Sequence, residues 1–388
     1  MKKVNNKTLV LILTMGVFSI LNTEMGIVGV IPYVSERFSV SIPDAGLLVS
    51  GFALIVALAG PTMPLLFSKI NRKKVMLLSL GVFSLCNVVS VFASTFEILV
   101  AARVIPAAFH PLYVSMAMAL AQHTGDTPEE RAKSSAQVFV GVSAGMVVGA
   151  PIAGMLADYI SFSAAMNFFA AVTIAVFVLS VVAIPSMPVE EPLSYGKQIA
   201  VLKRPVVLVS LLAAGAINAA MFGFYSFMAE FLGSSIGLGA ALVSALLLVY
   251  GLSNVAGNII AGKTLGRAPY KTMIVGPLLL ILLYVLLLVS EANNLFAAVV
   301  VVLLGIVVGV ANTTDQFMVS RSAPDAPDFI NGLFLTTTNL GTTIGTSVCG
   351  LFISDWGISF SVGGTIPCLI LGFVFVLLRM KCVRVGML

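Results

Sequence analysis

The chain has 388 residues, of which 59% are hydrophobic and 10% charged, and its mean hydropathy is +1.09. Soluble domains are about half apolar and about a quarter charged, so this composition excludes a soluble globule and implies a polytopic membrane protein. The formal net charge of +5 does not signal a nucleic-acid partner, because the basic residues lie in short clusters between apolar runs.

The N-terminus opens with Lys2, Lys3 and Lys7, and its apolar run continues to Val34 without a small-residue cleavage site. A signal h-region runs for about 7–15 residues, so this is read as membrane span 1. Spans 2 to 6 are expected near 44–67, 74–94, 97–121, 134–157 and 162–184. Ser41-Ile42-Pro43-Asp44 has the spacing of a capping box at the start of span 2. Prolines and charges then break the pattern between 185 and 204, which reads as a linker. Spans 7 to 12 follow near 205–229, 239–262, 271–290, 295–319, 329–353 and 361–379.

Lys and Arg fix the expected orientation. With the N-terminus in the cytoplasm, inside segments hold Lys2, Lys3 and Lys7; Lys69, Arg72, Lys73 and Lys74; Arg131 and Lys133; Lys197, Lys203 and Arg204. The second half adds Lys263, Arg267 and Lys271; Arg321; and Arg379, Lys381 and Arg384. Only Arg37 falls outside and Arg103 within the membrane, a bias that places both termini in the cytoplasm with an even number of spans.

The strongest internal pattern is Gly141 to Leu156, GVSAGMVVGAPIAGML. At about 100° per residue, Gly141, Gly145 and Gly149 share one helical stripe, a seam on which a neighbouring backbone can press. Gly145, Gly149 and Gly154 map onto Gly341, Gly345 and Gly350 at one constant offset. Val49-Ser50 matches Val243-Ser244, and the basic turn Lys69 to Lys74 matches Lys263 to Arg267. The expected architecture is therefore all-α and integral to the membrane: twelve helices in two pseudo-symmetric six-helix halves, 1–184 and 205–388, joined by the linker 185–204. Such repeats place a substrate site near the midplane where the halves meet.

Ionisable residues inside spans are costly, so they carry the mechanism. A carboxylate at the bilayer centre costs roughly 2.5–3.5 kcal/mol on insertion scales, and Glu24 sits in an otherwise uncharged span. By rise per residue, Glu24 lies about 24 Å from the cytoplasmic end of span 1 and Arg103 about 9 Å from the outer end of span 4. Those depths nearly coincide, so Glu24 and Arg103 are expected to pair, either as a proton-coupling site or as a structural ion pair. His110, seven residues after Arg103, shares its stripe and either relays protons or bonds a carbonyl freed by Pro106 and Pro111. Asp315 is expected near the cytoplasmic interface, solvated or paired with Arg321.

Several chemistries are excluded. Gly257 to Thr264, GNIIAGKT, satisfies the phosphate-loop pattern, but it ends a membrane span and no nucleotide domain surrounds it. Cys86, Cys349, Cys368 and Cys382 lack metal spacing, and His110 and His123 form no H-E-x-x-H pair. No cofactor, metal or catalytic group is expected, and the chain is not an enzyme.

At these residues the chain resembles the major facilitator superfamily, and within it the drug:proton antiporters of the arabinose efflux permease-like branch. Gly145, Gly149, Pro151 and Gly154 match the antiporter motif Gly-x-x-x-Gly-(Ala)-Pro-x-x-Gly. Thr23-Glu24-Met25 through Gly29 and Pro32 is similar to that branch's span-1 signature. Arg103 falls where the family keeps its membrane arginine, His110 where the branch often has a histidine turn, and Asn339-Leu340-Gly341 also resembles the branch. The family's loop motif after span 2 falls on Pro64, Ser68, Lys69, Asn71, Arg72 and Lys73, where its aspartate has no counterpart.

The resemblance implies the major facilitator fold in the plasma (inner) membrane. It implies a proton-coupled exporter of small organic molecules such as drugs, sugars or nucleosides, working by alternating access, with protons and the lipid bilayer as its other partners and a monomer as its state. Candidate substrate contacts are Asn22, Asn218, Phe222, Tyr225, Tyr250, Asn254 and Asn339, polar or aromatic groups within lipid-length helices. A facilitative carrier or proton symporter would share the fold without the antiporter seam. A non-transport receptor would need a soluble domain or long loop that is absent.

Overall fold

The computed structural model describes residues 6–122, 124–125, 127–187, 198–290, 293–324 and 327–384. Lys2, Lys3, Lys197 and most of the predicted linker, as well as the side chains of Arg131, Lys133 and Arg384, lie outside the described residues. Among those described, the structure is helical throughout and has no strand. The long helices of the first part are α1 Asn6–Gly26, α2 Ile31–Phe38, α3 Ile42–Ala45, α4 Leu47–Leu66, α5 Arg72–Val91, α6 Phe96–Ala107, α7 His110–Gln122, α8 Pro128–Tyr159 and α9 Phe162–Ala183. They continue with α10 Pro205–Tyr225, α11 Met228–Glu230, α12 Ala240–Arg267, α13 Pro269–Leu288, α14 Asn294–Ser320, α15 Pro327–Trp356 and α16 Thr365–Arg384.

Among the described residues, eleven spans are long and apolar enough to cross a membrane. The remaining expected span, α15, is 30 residues long, but Thr336 to Asn339, Thr342 and Thr343 interrupt its apolar run. The Ser41–Asp44 cap forms at 3.2 Å yet starts only the short α3. A reciprocal capping box opens α8 instead: the Glu130 amide donates to Thr127 Oγ1 at 3.2 Å, and the Thr127 amide to Glu130 at 3.3 Å. Gly357 ends α15 with φ 90° and ψ 171°, a conformation essentially reserved for glycine.

The chain divides into two compact units, Met1–Phe38 with Leu58–Ser194, and Ser39–Ala57 with Tyr195–Leu388. In the first unit the glycine seam of α8 packs on α1. A Cβ on Gly141 would strike the Thr14 carbonyl, one on Gly145 the Leu21 side chain, and one on Gly149 the Asn22 carbonyl. Gly154 is buried on the same helix, and Pro151 lies within it. The second unit repeats the arrangement, with Gly341 facing the Gly215 carbonyl and Gly345 the Ala219 carbonyl, so α15 lies on α10 as α8 lies on α1. A third seam, not evident in the sequence, joins α12 to α14: Gly257 meets the Ile306 carbonyl and Gly309 the Asn254 carbonyl.

The turn between α4 and α5 holds without the family's aspartate. Asn71 caps α5 by accepting from the Lys73 amide at 3.0 Å, and its Nδ2 donates to Ser186 Oγ at 2.9 Å. The Arg72 amide donates to the Met187 carbonyl at 3.0 Å, and Lys73 Nζ to the Val181 carbonyl at 2.9 Å in the last turn of α9. A cation there meets the negative end of the helix dipole. Lys69 is exposed beside them.

Candidate functional site

The span-1 signature explains itself in three dimensions. Pro32 supplies no amide to the turn before it, and the chain passes from α1 into a 3₁₀ segment at Ile27–Val30 before α2 begins. Gly29 sits at that break because a Cβ would overlap the Ala150 carbonyl of α8. The break leaves backbone carbonyls of the preceding turn available to a side chain.

Arg103 takes them. Its Nη1 donates to the Thr23 carbonyl at 2.7 Å and its Nη2 to the Glu24 carbonyl at 3.1 Å. Arg103 thus reaches this residue through the backbone, and its charge also acts on the Glu24 carboxylate. His110 Nε2 lies 3.5 Å from Glu24 Oε2, a contact that becomes an ion pair when the imidazole is protonated. His110 is the first residue of α7, after a break between α6 and α7 where Pro111 offers no amide to the Ala107 carbonyl. All three side chains are buried, Glu24 at 9%, Arg103 at 2% and His110 at 4% exposure. A carboxylate, an imidazole and a guanidinium therefore share one dry locus in the first unit, an arrangement that can hold and pass a proton.

Two neighbours complete it. Asn22 is fully buried on α1, and among the described residues neither its Nδ2 nor its Oδ1 has a hydrogen-bond partner. Asn87 of α5 donates to Thr23 Oγ1 at 3.1 Å and Thr173 Oγ1 at 3.2 Å, tying α1, α5 and α9 together beside Glu24. Sequence reasoning passed over Asn87, although an asparagine in the run LLSLGVFSLCNVVSV was the available signal.

The second unit holds the remaining candidates. Tyr225 and Tyr250 stack with centroids 5.4 Å apart and planes 20° from parallel, and Phe222 meets Tyr225 edge-on at 6.4 Å. Asn254 is half-buried and accepts from Asn258 at 3.4 Å, and Asn258 accepts from Thr313 at 2.9 Å. Asn339 bonds back to the Leu335 carbonyl of its own helix at 2.9 Å, the bland outcome for a membrane asparagine.

Asn218, at the same repeat offset from Asn22 as the paired glycines, donates to Asp315 Oδ2 at 3.2 Å. Asp315 is 1% exposed, which corrects the expectation of a solvated or Arg321-paired acid; Arg321 lies over the Phe317 ring instead. Arg379, grouped with the cytoplasmic tail by sequence, is also buried and donates to Ser210 Oγ at 2.9 Å and the Met318 carbonyl at 3.2 Å. Asp315→Asn keeps an acceptor for Asn218 and is expected to leave the thermal midpoint nearly unchanged. Asp315→Ala leaves the Asn218 amide only its bond to the Ala214 carbonyl and is expected to cost about 1 kcal/mol, read from thermal unfolding in detergent.

Residues 12–346 and 211–382 match the model of the Major Facilitator Superfamily. The inner membrane transport protein YdhP of Escherichia coli (strain K12) is 28% identical over 376 residues, 96% of this chain and 95% of that protein. The uncharacterized MFS-type transporter YfhI of Bacillus subtilis (strain 168) is 29% identical over 257 residues, covering 66% of this chain and 64% of that protein's length. Among solved structures, a bacterial homolog of the human lysosomal transporter Spinster superposes with a TM-score of 0.80 at 18% identity, over 97% of both chains. The nucleoside transporter NupG superposes with a TM-score of 0.77 at 17% identity, over 97% of this chain and 99% of that one. At those identities the structures speak to the fold. The chain belongs to the Major Facilitator Superfamily, as a multi-pass inner-membrane transport protein and not an enzyme.

Proposed function

We propose that this protein is a proton-coupled exporter of small organic molecules, of the drug:proton antiporter type and the arabinose efflux permease-like branch. The observation that carries the reading is the buried Glu24 carboxylate 3.5 Å from His110 Nε2. Opened outward, Glu24 takes a proton and substrate leaves; opened inward, substrate entry accompanies its loss. His110 passes the proton and Arg103 holds the helix break that presents Glu24. The seam Gly141 to Gly154 lets α1 and α8 shift as close-packed backbones. The aromatic group Phe222, Tyr225 and Tyr250 suits neutral or amphipathic molecules. The protein works as a monomer, with halves 1–184 and 205–388 and both termini in the cytoplasm.

The drive is sufficient for modest gradients: each pH unit supplies about 1.4 kcal/mol, and each charge crossing about 2.3 kcal/mol per 100 mV. The test is transport in proteoliposomes of a panel of nucleosides, sugars and amphipathic drugs under an imposed pH gradient. Accumulation in vesicles acidic inside, against the substrate's own gradient as protons leave, supports the reading. Equilibration alone, indifferent to the gradient, assigns a facilitative carrier.

A further inference from the structure

A cavity of about 410 Å³ opens between α12, α13 and α14, in the second unit. Ile260, Lys263, Thr264 and Arg267 line it from α12 at helical spacing, and Lys271, Val275, Gly276 and Leu279 from α13. Its chemistry is graded. Lys263, Arg267 and Lys271 crowd the end beside the α12–α13 turn, and no acidic residue lines the cavity. Leu279 lies eight residues beyond Lys271, about 12 Å deeper along the helix, where Val307 and Val310 of α14 join it.

The apolar part is open to the outside of the bundle: Ile260 is 42%, Val275 47% and Leu279 39% exposed. Gly276 leaves the gap unfilled, since a Cβ there meets nothing within 4 Å. The phosphate-loop pattern also finds its account here. Gly257 is an α12 glycine packed against α14, the pattern runs as continuous helix, and of its residues Ile260, Lys263 and Thr264 face the cavity.

We infer that this groove binds an anionic phospholipid, its phosphate held by Lys263, Arg267 and Lys271 and one acyl chain laid along Val275, Gly276 and Leu279. Three cations at a membrane–water boundary, continued by an exposed apolar trough, match a negatively charged headgroup with a hydrocarbon tail, and a soluble anion would leave the trough empty.

The experiment titrates purified full-length protein in detergent with phosphatidylglycerol, phosphatidylcholine or inorganic phosphate, reading the thermal midpoint and lipid retained in native mass spectrometry. Phosphatidylglycerol is expected to raise the midpoint. Each charge removed should weaken its binding about fivefold, and the triple variant Lys263→Gln, Arg267→Gln, Lys271→Gln about a hundredfold. Gly276→Leu fills the trough with all charges in place and should also weaken binding, at least tenfold, which keeps the test decisive if the triple variant fails to fold. Equal stabilisation by phosphatidylcholine, or the same response to inorganic phosphate, overturns the proposal. So does undiminished phosphatidylglycerol binding by Gly276→Leu.

Discussion

Glu24→Gln is expected to abolish pH-gradient-driven accumulation of substrate, by at least a hundredfold, while leaving a folded protein that still equilibrates substrate down its gradient. Gln is close in shape to the protonated acid, so the Arg103 bonds to the Thr23 and Glu24 carbonyls survive the change. What is lost is the exchangeable proton and the charge that His110 meets at 3.5 Å. The comparison is between uphill and downhill flux of the same preparation in proteoliposomes. Equal loss of both would instead indicate that the carboxylate holds the helices together.

The second large effect is structural. A Cβ on Gly345 would fall on the Ala219 carbonyl of α10, backbone that cannot move aside as a side-chain tip can. Gly345→Val should therefore cost about 3 kcal/mol or more by overpacking, and the variant should elute as aggregate or melt far below wild type in detergent. Gly332 on the same helix is the control, since a Cβ there meets open space. Gly332→Ala replaces a helix-interior glycine and should stabilise by about 0.5–1 kcal/mol.

The contrast between these glycines bears on how far the sequence could be read. The seam on α8 and its copy on α15 were legible because their glycines recur on one stripe of one helix. The α12–α14 seam was not, since Gly257 lies on one helix and Gly305 and Gly309 on another. Glu24, Gly29 and Pro32 were legible as a motif, and the 3₁₀ break at Ile27–Val30 follows from the proline.

Depth counting placed Glu24 and Arg103 at one level and His110 on the stripe of Arg103, and the structure brings Glu24 to both. It gives position along a helix axis but not which atom a long side chain selects. Arg103 bonds the Thr23 and Glu24 carbonyls while its charge acts on the carboxylate, a division that sequence spacing cannot express. Asp315 and Arg379 were misplaced for a related reason. Arg379 stood at the expected end of span 12, while α16 runs on to Arg384; Asp315 is buried although α14 ends at Ser320 as expected, because depth along a helix does not say which face the bundle encloses. The basic groove was hidden because Lys263, Arg267 and Lys271 were read for orientation, the internal repeat and a phosphate-loop pattern, and their convergence over an apolar trough depends on the α12–α13 turn.

The central claim is that Glu24 carries the proton exchanged for substrate. It is met most directly by measuring proton release when substrate is added to detergent-purified protein in weak buffer, with Glu24→Gln alongside. A panel of a sugar, a nucleoside and an amphipathic drug serves as probe. The account predicts release from wild type with at least one panel member, and none from the variant although it binds the same compound. Binding without release from wild type, or equal release from both proteins, would contradict it.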